Sequence, residues 1–293
     1  MGELTPRSRD RVTGSLLAWG ESRLRDLPWR RTQDPWAILV SEVMLQQTSV
    51  ARVLPKFDAF INRYPRPADL AEAPLGDALM LWEGLGYPRR CRNLRDAAAV
   101  IQRAHRGQVP DNIDALLALP GIGPYTARAV LAFAFGRDVA VVDTNVARVL
   151  SRIVGEPMKL AVTQGLADDL VPEGRSWEWN QIMMDFGATL CTARAPMCDR
   201  CPLSRSCAWG GDTDRPDPAM ATQGTSRPQP KFEGSDRQAR GRVLRAVAQQ
   251  PLRDDEVFAA MNMIDDVDRA KRLLGQLLDE GLVVRVNGTV TLP

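Results

Sequence analysis

Four of the five cysteines in this 293-residue chain, Cys191, Cys198, Cys201 and Cys207, crowd into the stretch CTARAPMCDRCPLSRSC, while Cys91 stands apart. So dense a group in a long chain points to a metal centre, since disulfide frameworks belong to small secreted domains. Six, two and five residues separate successive cysteines. Structural zinc sites usually open with a knuckle of about two to four residues, so the long first gap favours four thiolates around a cubane iron-sulfur cluster, with zinc as the alternative. Arg194, Arg200 and Arg205 lie between the cysteines. They could grip a phosphate backbone or merely neutralise thiolate charge.

Two carboxylates invite a chemical reading. Glu42 lies in WAILVSEVMLQQT, flanked on a helical projection by Ile38, Leu39 and Leu45. An acid on an apolar face is desolvated, which favours its protonated form and suits it to donate a proton near neutral pH. The plainer alternative puts Glu42 just outside the apolar stripe. Asp143 ends the apolar run 139–142 and precedes the helical VARVLSRIV. Such a residue is commonly an N-cap with no chemical role. Together the two form the kind of pair that glycosidic cleavage requires, one acid protonating the leaving group and one anion facing an oxocarbenium-like centre.

Leu119-Pro120-Gly121-Ile122-Gly123-Pro124-Tyr125 joins one amphipathic segment, about 111–118, to another, about 124–135. Gly121 and Gly123 permit positive φ and a bare backbone, and Pro124 suits a first helical turn. Amides facing outward at a helix N-terminus bind phosphate without side-chain charge, as in helix-hairpin-helix motifs; a simple interhelical turn is the alternative.

The elements that must position these groups are almost all helical. Residues 4–210 are apolar runs at helical spacing, punctuated by short Pro, Gly and Asp signals. Residues 211–234 change to a Pro-rich stretch without periodicity, which reads as a linker. The final segment gives helical patterns at about 236–249, 254–261 and 266–280, then VVRVNGTVTL, two alternating strands about an Asn287-Gly288 turn. Three helices and a hairpin suggest a winged helix.

Composition sets limits on function. Apolar residues make up 44%, charged residues 25%, and 38 basic against 36 acidic side chains leave +2. Any nucleic-acid surface must therefore be local. No stretch approaches the ~18 apolar residues of a membrane span, so no membrane partner is expected, and the chain is assigned to the cytoplasm, associated with the nucleoid.

VSEVMLQQT, GLGYPRR, LPGIGPYTARAV, VVDTNVARVL, WNQIMMDFGATLC and the cysteine loop, in that order over residues 12–210, resemble the helix-hairpin-helix DNA glycosylases of the endonuclease III superfamily, and within it the MutY-type adenine DNA glycosylases. The resemblance implies an all-α, two-lobed fold. Residues 27–137 would form a six-helix barrel lobe carrying the hairpin, and residues 1–26 with 138–210 a lobe stapled by one 4Fe-4S cluster on the four cysteines. Residues 211–235 would be the linker and 236–293 the winged-helix-like domain. Double-stranded DNA with adenine opposite 8-oxoguanine or guanine would lie across the lobes, bound by a monomer, with the adenine flipped out.

By position, the resemblance makes Glu42 the acid that protonates adenine and then helps water attack. Asp143 would stabilise the oxocarbenium ion, and Tyr125 and Asn145 would hydrogen-bond the carboxylates. Tyr125 occupies the place where strand-nicking relatives carry a Schiff-base lysine, so base removal without strand cleavage is expected. Arg25, Leu27, Trp29, Arg30, Leu45 and Asp185 would surround adenine, although Leu27 and Trp29 suit an ordinary core equally well. Gln47 and Tyr87 would fill the opened stack, with Thr48 and Leu85 near the opposite base. Arg89 and Arg90 would meet phosphates, as would the amides at Gly121 and Gly123.

The sequence departs from the family pattern in two places. Typical members carry a larger, Nudix-like C-terminal domain that reads 8-oxoguanine, and this chain ends instead in a segment about half that size with 12 basic and 13 acidic residues after position 210. Thr144 stands where many adenine glycosylases have Gly. That keeps a mismatch thymine or uracil glycosylase as an alternative, and a non-enzymatic damage-binding protein on the same scaffold as another.

Overall fold

The computed structural model describes residues 4–225 and 230–293. Its helices run in chain order α1 (Pro6–Gly20), α2 (Pro35–Leu45), α3 (Val50–Arg63), α4 (Pro67–Glu72), α5 (Leu75–Trp82), α6 (Arg89–Ala104), α7 (Ile113–Leu117), α8 (Pro124–Phe135), α9 (Thr144–Val154), α10 (Leu160–Asp169) and α11 (Ser176–Thr189). The C-terminal segment adds α12 (Asp236–Val247), α13 (Asp254–Met261), α14 (Val267–Asp279), β1 (Val284–Val286) and β2 (Thr289–Thr291). No helix among the described residues is long and apolar enough to cross a membrane.

Contacts divide the chain into two units, residues 4–35 with 123–225 and residues 36–122 with 230–293. In the first unit, α9 and α11 bury Val149, Leu150, Ile153, Trp179, Ile182 and Phe186 in one core with Leu16 of α1. Local signals set the helix ends. Pro124 begins α8 and Gly136, left-handed at φ 61°, closes it; Asp143 caps α9 and Gly155 ends it at φ 81°. Residues 211–225 of the stretch read as a linker pack against the rest of the first unit. Asp217 pairs with Arg152 at 2.6 Å, and the hydroxyl of Thr222 accepts from the amide of Met158 at 3.1 Å. Both contacts draw residues 211–225 onto α9 and the turn after it.

In the second unit, Phe60 packs edge-on against Tyr64 and Trp82, and the indole of Trp36 donates to the carbonyl of Tyr64 at 2.9 Å. Every residue from Trp36 to Met44 is buried. α2 therefore has no apolar stripe with a polar back, as its sequence suggested, but is enclosed on all sides. The C-terminal segment has the expected three helices and hairpin. β1 and β2 pair antiparallel with Val284 opposite Thr291, and Asn287 and Gly288, at φ 49° and 77°, form the two-residue turn. Leu252 bridges to Val290 as a third short pairing, which completes a winged-helix pattern.

This segment shares its unit with residues 36–122 rather than standing as a separate domain. Arg245 pairs with Glu83 at 2.5 Å, the amide of Gly76 donates to the carbonyl of Pro293 at 3.0 Å, and Arg92 donates to the carbonyl of Glu280. These contacts account for the placement of the C-terminal segment; residues 27–35 and 123–137, expected in the barrel lobe, group with the first unit.

Candidate active site

Asp143 is the N-cap that its sequence position offered. As N-cap of α9, its Oδ1 accepts from the amides of Asn145 (2.8 Å) and Val146 (2.7 Å). Its Oδ2 accepts from the side-chain amide of Asn145 at 2.8 Å, the expected partnership. Burial pushes the carboxyl above the usual aspartate range, against these hydrogen bonds and the charge of Arg148. Asn145 is in turn held by Arg148, whose guanidinium donates to Asn145 Oδ1 at 2.7 Å, to the carbonyl of Gly187 at 2.7 Å and to the carbonyl of Cys191 at 2.9 Å. The amide of Asn145 is thereby oriented to donate, and the anion at Asp143 is fixed in place.

The four cysteines line one small pocket together with Arg152, Leu190 and Trp209. Backbone amides of Leu203 and Gly210 approach Cys201 Sγ and Cys207 Sγ, each at 3.4 Å, and Arg152 donates to Cys191 Sγ at 3.3 Å. Gly211, at φ 81°, comes so close to Cys198 that a Cβ there would lie 2.6 Å from its sulfur. Amide and guanidinium donors aimed at sulfur suit thiolates that carry a metal's share of negative charge. Burial raises the thiols of Cys191 and Cys198, and that of Cys201 to about 11. Binding would therefore release protons. Among the described residues no group of ligating side chains forms a site for a single metal ion. Arg148 and Arg152, one helical turn apart on α9, escaped the sequence reading; their only signal was two arginines spaced four residues apart on a helix otherwise buried on that face.

Asp185 of α11 is fully buried and answers two arginines. Arg25 donates through its backbone amide (2.8 Å) and its Nε (2.7 Å), and Arg30 through both terminal nitrogens (2.7 and 2.9 Å). Desolvation pushes its carboxyl up, but the hydrogen bonds from Arg30 and Arg25 outweigh it and hold the group below the usual range. The residue expected to touch adenine is thus engaged as an internal clamp between residues 25–30 and α11. Leu27 and Trp29, within residues 25–30, are buried.

The remaining expected positions lie in the second unit. Glu42 is 5 % exposed, which meets the burial that the acid reading needs. Leu45 is half-buried at the end of α2. Beyond it Gln47 takes φ 56°, and Tyr87 takes φ 48° between Gly86 and Pro88. Left-handed geometry at non-glycine residues costs about 1–3 kcal/mol, and Arg106, Asn262 and Asn287 adopt it as well. Thr48 Oγ1 donates to the carbonyl of Leu85 at 2.9 Å, which ties the two loops together.

Arg90 departs from expectation. Its guanidinium donates inward to the carbonyls of Val43 (2.7 Å), Met44 (2.9 Å), Leu85 (3.0 Å) and Gly86 (3.0 Å) and to Thr48 Oγ1 (2.9 Å). Burial lowers its pKa to about 10, so it stays charged at neutral pH, but it is spent on holding α2 to the Tyr87 loop and not on phosphate. Arg89 next to it is exposed. Substitutions should therefore separate the neighbours. Arg90→Gln should destabilise the fold by roughly 3 kcal/mol through orphaned buried carbonyls. Arg89→Gln should leave the melting temperature unchanged and lower the salt dependence of DNA binding by about one unit of slope. Equal melting temperatures for the two variants would refute the assignment.

In the helix-hairpin-helix turn only Gly121 is left-handed, at φ 75°, where a Cβ would meet Asn93 at 2.7 Å. Gly123 is extended, against the expectation of positive φ there, because it serves as the N-cap of α8. Gly123 offers no side chain to cap that helix. Tyr125 stands in its first turn, half-buried.

The comparisons with known proteins complete this picture. Residues 40–163 match the HhH-GPD superfamily of base excision DNA repair proteins. The adenine DNA glycosylase of Mycobacterium tuberculosis (strain CDC 1551 / Oshkosh) is 44% identical over 293 aligned positions, covering 95% of this chain and 92% of the relative. The chain belongs to the adenine DNA glycosylase family. The human adenine DNA glycosylase is 42% identical over 209 positions, 66% of this chain but 38% of the human protein. The chain thus spans most of the mycobacterial relative but less than half of the human one. Among solved structures, a thermostable thymine-DNA glycosylase superposes with a TM-score of 0.69 at 32% identity, covering 71% of this chain and 99% of that one. The expected all-helical helix-hairpin-helix fold is borne out.

Proposed function

We propose that this chain removes adenine from DNA in which it is mispaired with 8-oxoguanine or guanine, hydrolysing the glycosidic bond without nicking the strand. The observation that carries the reading is the pinned carboxylate of Asp143, held by the Asn145 amide that Arg148 orients. An anion with fixed hydrogen-bond partners need not reorganise when positive charge develops on the sugar, and so stabilises an oxocarbenium-like transition state. Glu42, in its dry helix, supplies the proton that turns adenine into a neutral leaving group and afterwards accepts one from water. Tyr125 offers a phenol where a Schiff-base amine would be needed for strand cleavage.

Cys191, Cys198, Cys201 and Cys207 would hold one 4Fe-4S cluster. When bound, it would supply a structural staple for the loop 191–207 that follows α11. Arg152, which donates to Cys191 Sγ and pairs with Asp217, would help to hold the ligand loop. The hairpin amides at Gly121 and Gly123, with Arg89, would take DNA phosphates.

The decisive test is single-turnover cleavage of duplexes carrying A opposite 8-oxoguanine, A opposite G, and T opposite G, with and without alkali, on protein whose iron and sulfide content is measured. Alkali-dependent breaks at adenine, with about four iron atoms per chain, are expected. Breaks at thymine would instead favour the activity named for the thymine-DNA glycosylase neighbour, breaks without alkali would refute the role of Tyr125, and zinc without iron would refute the cluster.

A further inference from the structure

Trp209 stands two residues past Cys207, the last of the four clustered cysteines. Its backbone is held at the C-terminal end of α9, where helix carbonyls lack partners within the helix. The amide of Ala208 donates to the carbonyl of Ile153 at 2.9 Å, and that of Trp209 to the carbonyl of Arg152 at 3.1 Å. The carbonyl of Trp209 accepts in turn from the amide of Asp212 at 3.0 Å. Its ring is stacked on Arg152, the guanidinium carbon lying 4.6 Å from the ring centre.

Arg152 spends its donors on Asp217, on the carbonyl of Thr192 at 2.8 Å and on Cys191 Sγ. Trp209 Nε1, by contrast, is buried and has no hydrogen-bond partner among the described residues. An indole N–H that loses water normally finds an acceptor. Trp36 and Trp82 follow that rule, donating to the carbonyls of Tyr64 at 2.9 Å and Gly86 at 3.2 Å. The surroundings of Trp209 identify what its own N–H could meet. It lines the small pocket that holds all four clustered cysteines. A zinc ion on those thiolates would add no acceptor, whereas a 4Fe-4S cluster carries inorganic sulfides that accept hydrogen bonds.

Resting on the cluster reading above, we propose that Trp209 donates its indole N–H to a sulfur of the bound 4Fe-4S cluster and thereby raises the cluster's reduction potential. A hydrogen bond to sulfur offsets negative charge and so favours the reduced, more anionic state. Arg152 strengthens the donor, because a cation over the ring face draws on its π density and leaves the N–H at the edge more positive. Burial adds to the effect, since a hydrogen bond away from water is electrostatically stronger.

The test compares the full chain as wild type, as Trp209→Phe, and with 3-benzothienylalanine at position 209, an isostere of tryptophan that has sulfur in place of the N–H. Iron and sulfide are measured first. The midpoint potential is then read by voltammetry, and the Fe–S stretching modes by resonance Raman in H2O and D2O. Both replacements should keep the wild-type iron content and lower the potential. The one-electron equilibrium should move toward the oxidised form at least threefold, about 28 mV at about 59 mV per tenfold change. Deuteration should shift the Fe–S modes of the wild type more than those of either replacement, in which only the amides of Leu203 and Gly210 and the guanidinium of Arg152 remain as donors to sulfur.

An unchanged potential or an unchanged deuterium shift in the isostere would overturn the inference. A role in packing alone gives that result, because the isostere keeps the shape of the ring, and the comparison stands even if Trp209→Phe does not fold. Loss of iron from the isostere would overturn it as well, the indole then serving the fold and not the potential. Zinc without iron in the wild-type protein would refute the cluster and this inference with it, and the metal analysis tells that failure apart from the others.

Discussion

Glu42→Gln should lower the single-turnover rate of adenine release by about 10²–10⁴-fold while leaving affinity for abasic-site DNA near wild type. The amide keeps the shape and burial of the carboxyl within α2, where every residue from Trp36 to Met44 is enclosed, but it has no transferable proton. Asp143→Asn should cost about 10²–10³-fold by a different route, through loss of the anion. Its two backbone contacts to α9 can survive, whereas the Asn145 amide would face another amide in place of a carboxylate.

The pH profile adds a signature to this pair. Asp143 acts as an anion, and burial places its carboxyl above the usual range. The wild-type rate should therefore fall on the acid side at a pH higher than a free aspartate, at about 3.9, would give. That limb should be missing from the residual activity of Asp143→Asn. Undiminished base release in either variant would end the mechanism.

Asp185→Asn should lower stability by about 3–5 kcal/mol, the usual result of removing one partner from a buried, hydrogen-bonded ion pair. Arg30 is almost wholly buried, and after the change it would face a neutral amide with only half the accepting capacity. Because the folded carboxyl lies below the unfolded value, its contribution is fully present above about pH 4 and is lost as the pH falls through the folded value. Denaturant titrations at several pH values should accordingly show the gap between wild type and variant wide at neutral pH and narrowing in acid. A variant of unchanged stability that binds adenine-containing DNA more weakly would return Asp185 to the base pocket and remove it from the clamp.

Much of this molecule is written in short-range signals. The boundaries of α8 follow from Pro124 and from the glycine after Phe135, the C-terminal helices and hairpin fall where their periodicity and the Asn287-Gly288 turn put them, and the four cysteines share a pocket because only a few residues separate each from the next. Caps, turns and left-handed residues depend on neighbours within about four positions, so sequence alone can carry them.

Burial and pairing are decided at longer range. Arg25 and Asp185 are 160 residues apart, and nothing local distinguishes Asp185 as a clamp from Asp185 as a base reader. Arg89 and Arg90 are adjacent and chemically identical, yet the phase of α6 turns one outward and the other into five hydrogen bonds with α2 and the Tyr87 loop. Arg148 reaches Cys191 across 43 residues, Arg152 reaches Asp217 across 65, and Arg237 reaches Tyr87 across 150. A charged side chain has the same composition whether solvated or enclosed. Only the packing of distant helices determines which of them lose water, and a charge that loses water must find its partner there.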